Sequence, residues 1–90
     1  MFSMYRVNLS RSAIDRGLRE LALFNGLEGL VVVWKRKEAN RPCYHLEVSH
    51  CERRVQFDLD FKDIITYPYG SEAFKVRGIM RSVVQQLSQK

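Results

Sequence analysis

Long apolar runs are missing from this 90-residue chain. The longest, Leu30-Val31-Val32-Val33-Trp34, is far short of the roughly 20 residues a membrane-spanning helix needs. The opening Met1-Phe2-Ser3-Met4-Tyr5-Arg6 lacks a basic stretch followed by an apolar block of secretory length. No membrane contact and a cytoplasmic location are expected. Cysteine is scarce: Cys43 and Cys51 flank one expected strand. Eight extended steps would part them by about 26 Å, whereas a disulfide needs Cα atoms within about 7 Å. Free thiols, and with them a reducing compartment, are expected. There is no glycine-rich phosphate loop, nucleophile elbow or triad order, and no cofactor is expected. Repeats, low-complexity tracts and linkers are also absent, so residues 1–90 read as one domain.

Acidic residues are in the minority. Fifteen Lys and Arg stand against ten Asp and Glu, a net +5. Residues 1–45 hold 8 basic and 4 acidic side chains, so +4; residues 46–90 hold 7 and 6, so +1. This balance permits a polyanionic partner without requiring one. The apolar share, 46%, is ordinary for a globular protein and argues against disorder.

Periodicity supplies the fold. Tyr5, Val7 and Leu9 alternate with Arg6 and Asn8, which reads as a short optional strand. Ser10 opens a helix, with Ser12 and Asp15 at capping-box spacing. Ile14, Leu18, Leu21 and Ala22 form its inner stripe, and Asn25-Gly26 ends it. Arg11, Asp15, Arg16, Arg19 and Glu20 point elsewhere. A first strand spans 29–37; its all-apolar middle suggests burial on both faces or a central position. After a turn at 38–42, a second strand runs from Cys43 to Ser49 with Tyr44, Leu46 and Val48 inward. A third, Arg54 to Asp60, points Val55, Phe57 and Leu59 inward. Residues 61–67 fit either a strand extension or a turn of helix. Pro68-Tyr69-Gly70 breaks the chain, and Ser71 caps a last helix to Ser88 with the stripe Val76, Ile79, Met80, Val83, Val84 and Leu87. The expected fold class is α+β: helix, three-stranded antiparallel meander, helix, with an optional N-terminal strand and both helices on one face of the sheet.

Lys35, Arg36, Lys37 and Arg41 crowd the first hairpin, and Lys75, Arg77 and Arg81 lie on the last helix. Guanidinium and ammonium groups meet phosphates well; the plainer reading is a soluble sheet edge and a solvated helix face. Asp58, Asp60 and Asp63 would suit magnesium with its waters, or simply form a solvated acidic rim. Cys43, His45, His50 and Cys51 are zinc-ligand types, but His45 and His50 would sit about 16 Å apart on an extended strand, so no metal site is expected. Phe61, Tyr67, Tyr69 and Phe74 would stack on bases, anchor a protein interface or seal the core.

This order of elements resembles that of double-stranded RNA-binding domains, over residues 10–88. The resemblance implies RNA contact by the first hairpin, here residues 35–41, and by the start of the last helix, residues 75–81. The same order, with His45 early in the second strand, also resembles the HicA-type toxins that cleave messenger RNA. Arg53-Arg54-Val55-Gln56-Phe57 and Arg77-Gly78-Ile79-Met80-Arg81-Ser82-Val83-Val84 share that likeness, which implies an acid/base role for His45. The sequence is therefore read as a small basic non-enzymatic binding module for RNA or DNA. The alternatives are a protein-interaction module, either with a protein partner or by self-association, and a HicA-like endoribonuclease.

Overall fold

The computed structural model describes residues 4–36, 43–67, 69–70 and 73–89. Helix α1 (Met4–Phe24) leads into strands β1 (Val31–Arg36), β2 (Tyr44–His50) and β3 (Arg53–Leu59), then helices α2 (Phe61–Thr66) and α3 (Ala73–Ser88). The three strands form one antiparallel sheet in the order β1-β2-β3. This is the α+β arrangement expected from the sequence, with a third short helix where strand and helix had both been open. The turn at 38–42 and the Ser71 cap lie outside the described residues.

Two expectations are corrected. The optional N-terminal strand does not form, because α1 already begins at Met4. Val7 and Ser10 are buried with Ile14, Leu18 and Ala22, a three-to-four-residue spacing that helix geometry satisfies and alternation does not. Leu9, its partner in the alternation, is exposed. Ser10 and Ser12 are therefore interior helix positions: Ser10 Oγ donates to the Tyr67 carbonyl at 3.2 Å, and Asp15 pairs forward with Arg19 at 3.5 Å. Nor is β1 central or buried on both faces. It is an edge strand, and Val31 and Val33 are 52% and 39% exposed.

The end of α1 follows its sequence signal. Gly26 adopts φ 78°, Gly26 N donates to Leu23 O, and Leu27 N donates to Ala22 O at 2.8 Å. This pair of bonds is a Schellman closure, which requires a left-handed residue after the cap. Leu27 then buries its side chain and turns the chain toward β1.

Ile14, Leu18, Leu46, Val48, Leu59, Ile64, Val76 and Met80 are fully enclosed between the helices and one sheet face. Most of the α3 stripe is buried as expected, with Ile79 half-buried. Alternation in β2 is clean: Tyr44, Leu46 and Val48 are buried, while His45, Glu47 and Ser49 face the other way. The opposite sheet face has no helix over it among the described residues.

Candidate nucleic-acid interface

Strand register fixes which expected site residues meet. Arg36 stands opposite Tyr44, and Tyr44 opposite Leu59. The end of β1 therefore lies at the same end of the sheet as the exit of β3. Four residues on, Asp63 accepts a bond from Lys75 Nζ at 3.3 Å, which pins the start of α3 to that end. At the other end, Arg53 Nη1 reaches Gln86 O at 3.4 Å. Thus α3 runs from the hairpin end toward the β2–β3 turn. Lys35 and Arg36, at the end of β1, and the first turn of α3 share one end of the molecule.

They do not share one face. Lys35 is opposite His45 on the open face, and its Nζ is 3.8 Å from Glu47. Arg36 belongs to the helix side by alternation and is exposed. Lys37 and Arg41 lie outside the described residues. On α3, Lys75 and Arg77 are two residues apart, about 200° around a helix. Lys75 turns toward α2 and Asp63. Arg77 turns toward α1, its guanidinium 5.8 Å from the Tyr67 ring centre. Arg81, one turn on, lines the same groove between α1 and α3, a space of about 330 Å³ with Leu21 and Met80 in its walls and Glu20 and Phe24 at its rim. Arg36 and Arg81 have no carboxylate partner among the described residues.

Charge on the open sheet face is internally balanced. Glu47 receives Arg54 at 2.6 Å as well as Lys35. His45 Nδ1 lies 2.6 Å from Asp58 Oδ1. Lys35, His45 and Asp58 form one row across the three strands, because their Cα positions pair in register. Among the described residues, the exposed cations of the helix layer are Arg16, Arg19, Lys62, Lys75, Arg77 and Arg81.

The remaining candidates resolve individually. Asp63 is not part of a solvated rim: it is buried and also accepts a bond from the Asp60 backbone N–H at 3.3 Å. Asp58 is drawn to His45, and Asp60 lies 4.0 Å from Cys43 Sγ. No group of three potential metal ligands occurs among the described residues. Cys43 and Cys51 are free thiols. Phe61 and Tyr67 pack against the core, while Tyr69 and Phe74 stand exposed. No described helix is long and apolar enough to cross a membrane.

Arg11 is the main residue the sequence reading misplaced. It does not point away. Its guanidinium lies 5.0 Å from the Trp34 ring centre and 4.7 Å from that of Tyr44, and these two rings meet edge to face at 77°. The cation closes the core at the hairpin end through contact with aromatic faces. Its Nε and the neighbouring Asp15 Oδ1 are enclosed without a hydrogen-bond partner. A half-buried Arg on a helix leaves no periodic signal that distinguishes it from a solvated one. No family model matches the chain, and no curated protein or solved structure does either.

Proposed function

We propose that the protein is a non-enzymatic nucleic-acid-binding module that favours RNA. Contact would come from Lys35, Arg36, Lys37 and Arg41 at the first hairpin and from Lys75, Arg77 and Arg81 on α3. The observation that carries this reading is the common end of the molecule reached by the last residues of β1 and the first turn of α3. The balanced charge of the open sheet face supports it too, since among the described residues the cations in excess of carboxylates then lie around the helices. The preference for RNA rests on the likeness in element order to double-stranded RNA-binding domains. Arg36 and Arg81, without carboxylate partners among the described residues, would be the strongest contacts. Lys35 and Lys75 must exchange Glu47 and Asp63 for phosphate and would add less. Such contacts position a backbone and do not read bases.

Titration of a labelled RNA duplex and the matching DNA duplex tests this by fluorescence anisotropy. If three to four of these seven cations neutralise a phosphate, affinity should fall roughly 40- to 150-fold between about 50 and 200 mM salt, and more steeply if all seven do. Arg36→Glu with Arg81→Glu should abolish binding while the far-ultraviolet spectrum stays unchanged. If neither duplex binds at low salt, the reading fails.

A second reading, a HicA-like ribonuclease, draws on one observation. Asp58 holds Nδ1 of His45, which leaves Nε2 as the nitrogen available to move a substrate proton, with Lys35 in the same row as a cation for phosphate. Growth arrest on expression separates this reading from simple binding.

A further inference from the structure

The groove between α1 and α3 holds more than cations. Its floor is apolar, formed by Leu21 and Met80, and Gly17 keeps it open on the α1 side. A Cβ at Gly17 would stand 2.5 Å from Met80 Cε and 3.0 Å from the Tyr67 hydroxyl, so a bare α1 backbone is what lets both side chains lie here. The two helices run the same way. Ser10 bonds to Tyr67, just ahead of α3. Arg19 reaches the Leu30 carbonyl at 2.6 Å, at the end of the sheet away from Arg36. From the hairpin end the groove therefore passes Arg77 first and then Arg81, about 6 Å further along α3. Gly17 is level with Met80, so Phe24, two turns beyond Gly17 on α1, lies past Arg81. Phe24 is 93% exposed and stands outside both the core and the side chains packed around it. Glu20, on the α1 rim, repels an anion from that wall and leaves the α3 wall to receive it.

We propose that this groove seats one unpaired nucleotide at the end of a bound RNA. The last phosphates of the strand lie along Arg77 and Arg81, and the terminal base stacks on Phe24. The inference rests on the nucleic-acid reading above and adds a ligand that duplex contact does not require. Three features carry it. The cations and the exposed ring stand in one groove and in sequence along it, the pairing of backbone charge with a stacking platform that single-stranded nucleic acid takes. The space of about 330 Å³ is at the low end of ligand sites, which suits one nucleotide and not a folded element. Its entrance at Arg77 faces the end of the molecule where the hairpin cations would hold a duplex, so a strand leaving that duplex runs directly into it. Unstacked bases at RNA ends are what aromatic side chains capture.

Fluorescence anisotropy tests this on the full chain with four labelled probes: a blunt RNA duplex, the same duplex with one unpaired nucleotide at its 3′ or its 5′ end, and a short RNA single strand. One of the two overhang duplexes should bind at least about fivefold more tightly than the blunt one. Phe24→Ala should remove that gain and leave the affinity for the blunt duplex unchanged. The position is exposed, so the circular dichroism spectrum should not change either. Phe24→Tyr should keep the gain, whereas Phe24→Leu, apolar but unable to stack, should lose it. If the blunt duplex binds and neither overhang improves on it, this proposal alone is overturned. A gain that survives Phe24→Ala or Phe24→Leu overturns it as well. Absence of binding to all four probes ends both this proposal and the nucleic-acid reading. Binding of the overhang and single-stranded probes through Phe24, with the blunt duplex unbound, upholds the groove and removes the duplex contact.

Discussion

His45 and Asp58 face each other across β2 and β3, Nδ1 to Oδ1 at 2.6 Å, on the sheet face that no described helix covers. Their side chains are 31% and 43% exposed, and exposed pairs of this kind contribute at most about 1 kcal/mol. His45→Ala should therefore fold nearly as stably as the wild type, and any loss of activity in it would report chemistry. Under the ribonuclease reading, inducing the wild type arrests growth, His45→Ala relieves the arrest, and Asp58→Asn relieves it in part by releasing the imidazole. Undisturbed growth at good wild-type expression rules that reading out.

Asp63 and Lys75 make an asymmetric pair. The Asp63 side chain is 8% exposed and the Lys75 side chain 52%. Asp63 also serves the Asp60 backbone N–H at the start of α2. Removing an acceptor from such a site costs about 1–3 kcal/mol, whereas a mostly exposed lysine contributes about 0–1 kcal/mol. Urea unfolding should show a larger loss for Asp63→Ala than for Lys75→Met, with Asp63→Asn between them. If Lys75→Met is the worst of the three, the ion pair and not the amide bond holds α2 to α3.

What the sequence made legible follows the strength of local constraint. The turn at Cys51-Glu52 joins His50 to Arg53, so every later pair in β2 and β3 follows by counting back, His45 with Asp58 included. That partnership is legible in the sequence once the outward residues of neighbouring strands are counted against each other from the turn. The stripe of α3 was equally plain, since its apolar residues have no competing period. The start of α1 was not: Tyr5, Val7 and Leu9 satisfy alternation over five residues, and only the longer series Val7, Ser10, Ile14, Leu18 reveals the helix. β1 misled for a different reason. A run of valines suits a central strand on composition, but strand order depends on which strands pair, and β2 takes the centre. The site was less legible than the fold, because the direction of a lysine or arginine depends on partners such as Glu47, Asp63 and the Trp34 ring.

Cys51 has φ 56°, the sole positive φ at a non-glycine residue among those described. The left-handed region costs an ordinary side chain roughly 1–2 kcal/mol. Asparagine tolerates that region, and glycine enters it freely. Cys51→Gly should therefore raise the unfolding free energy by about 1 kcal/mol once the strain is released, with Cys51→Asn giving part of the gain and Cys51→Val a loss. Thermal unfolding ranks the three, and any order with Val above Gly contradicts the turn geometry.

Gly17 and Gly78 both lie inside helices, yet they should respond oppositely to added bulk. A Cβ on Gly78 would meet nothing within 4 Å, and the position is exposed in the middle of α3. Gly78→Ala should stabilise the protein by about 0.5–1 kcal/mol, because glycine loses more backbone freedom on folding. A Cβ on Gly17 would stand 2.5 Å from Met80 Cε and 3.0 Å from the Tyr67 hydroxyl. The end of Met80 is flexible and can swing aside, so Gly17→Ala should come out near neutral, its gain in helix propensity offset by crowding. Gly17→Val adds two methyls beyond that Cβ where α1 and α3 approach and should lose about 1–3 kcal/mol. The same variant pushes bulk into the groove that Arg77 and Arg81 line. Measuring stability and RNA affinity on one preparation therefore links packing to binding. A neutral Gly17→Val would mean that the two helices are not held together at this point.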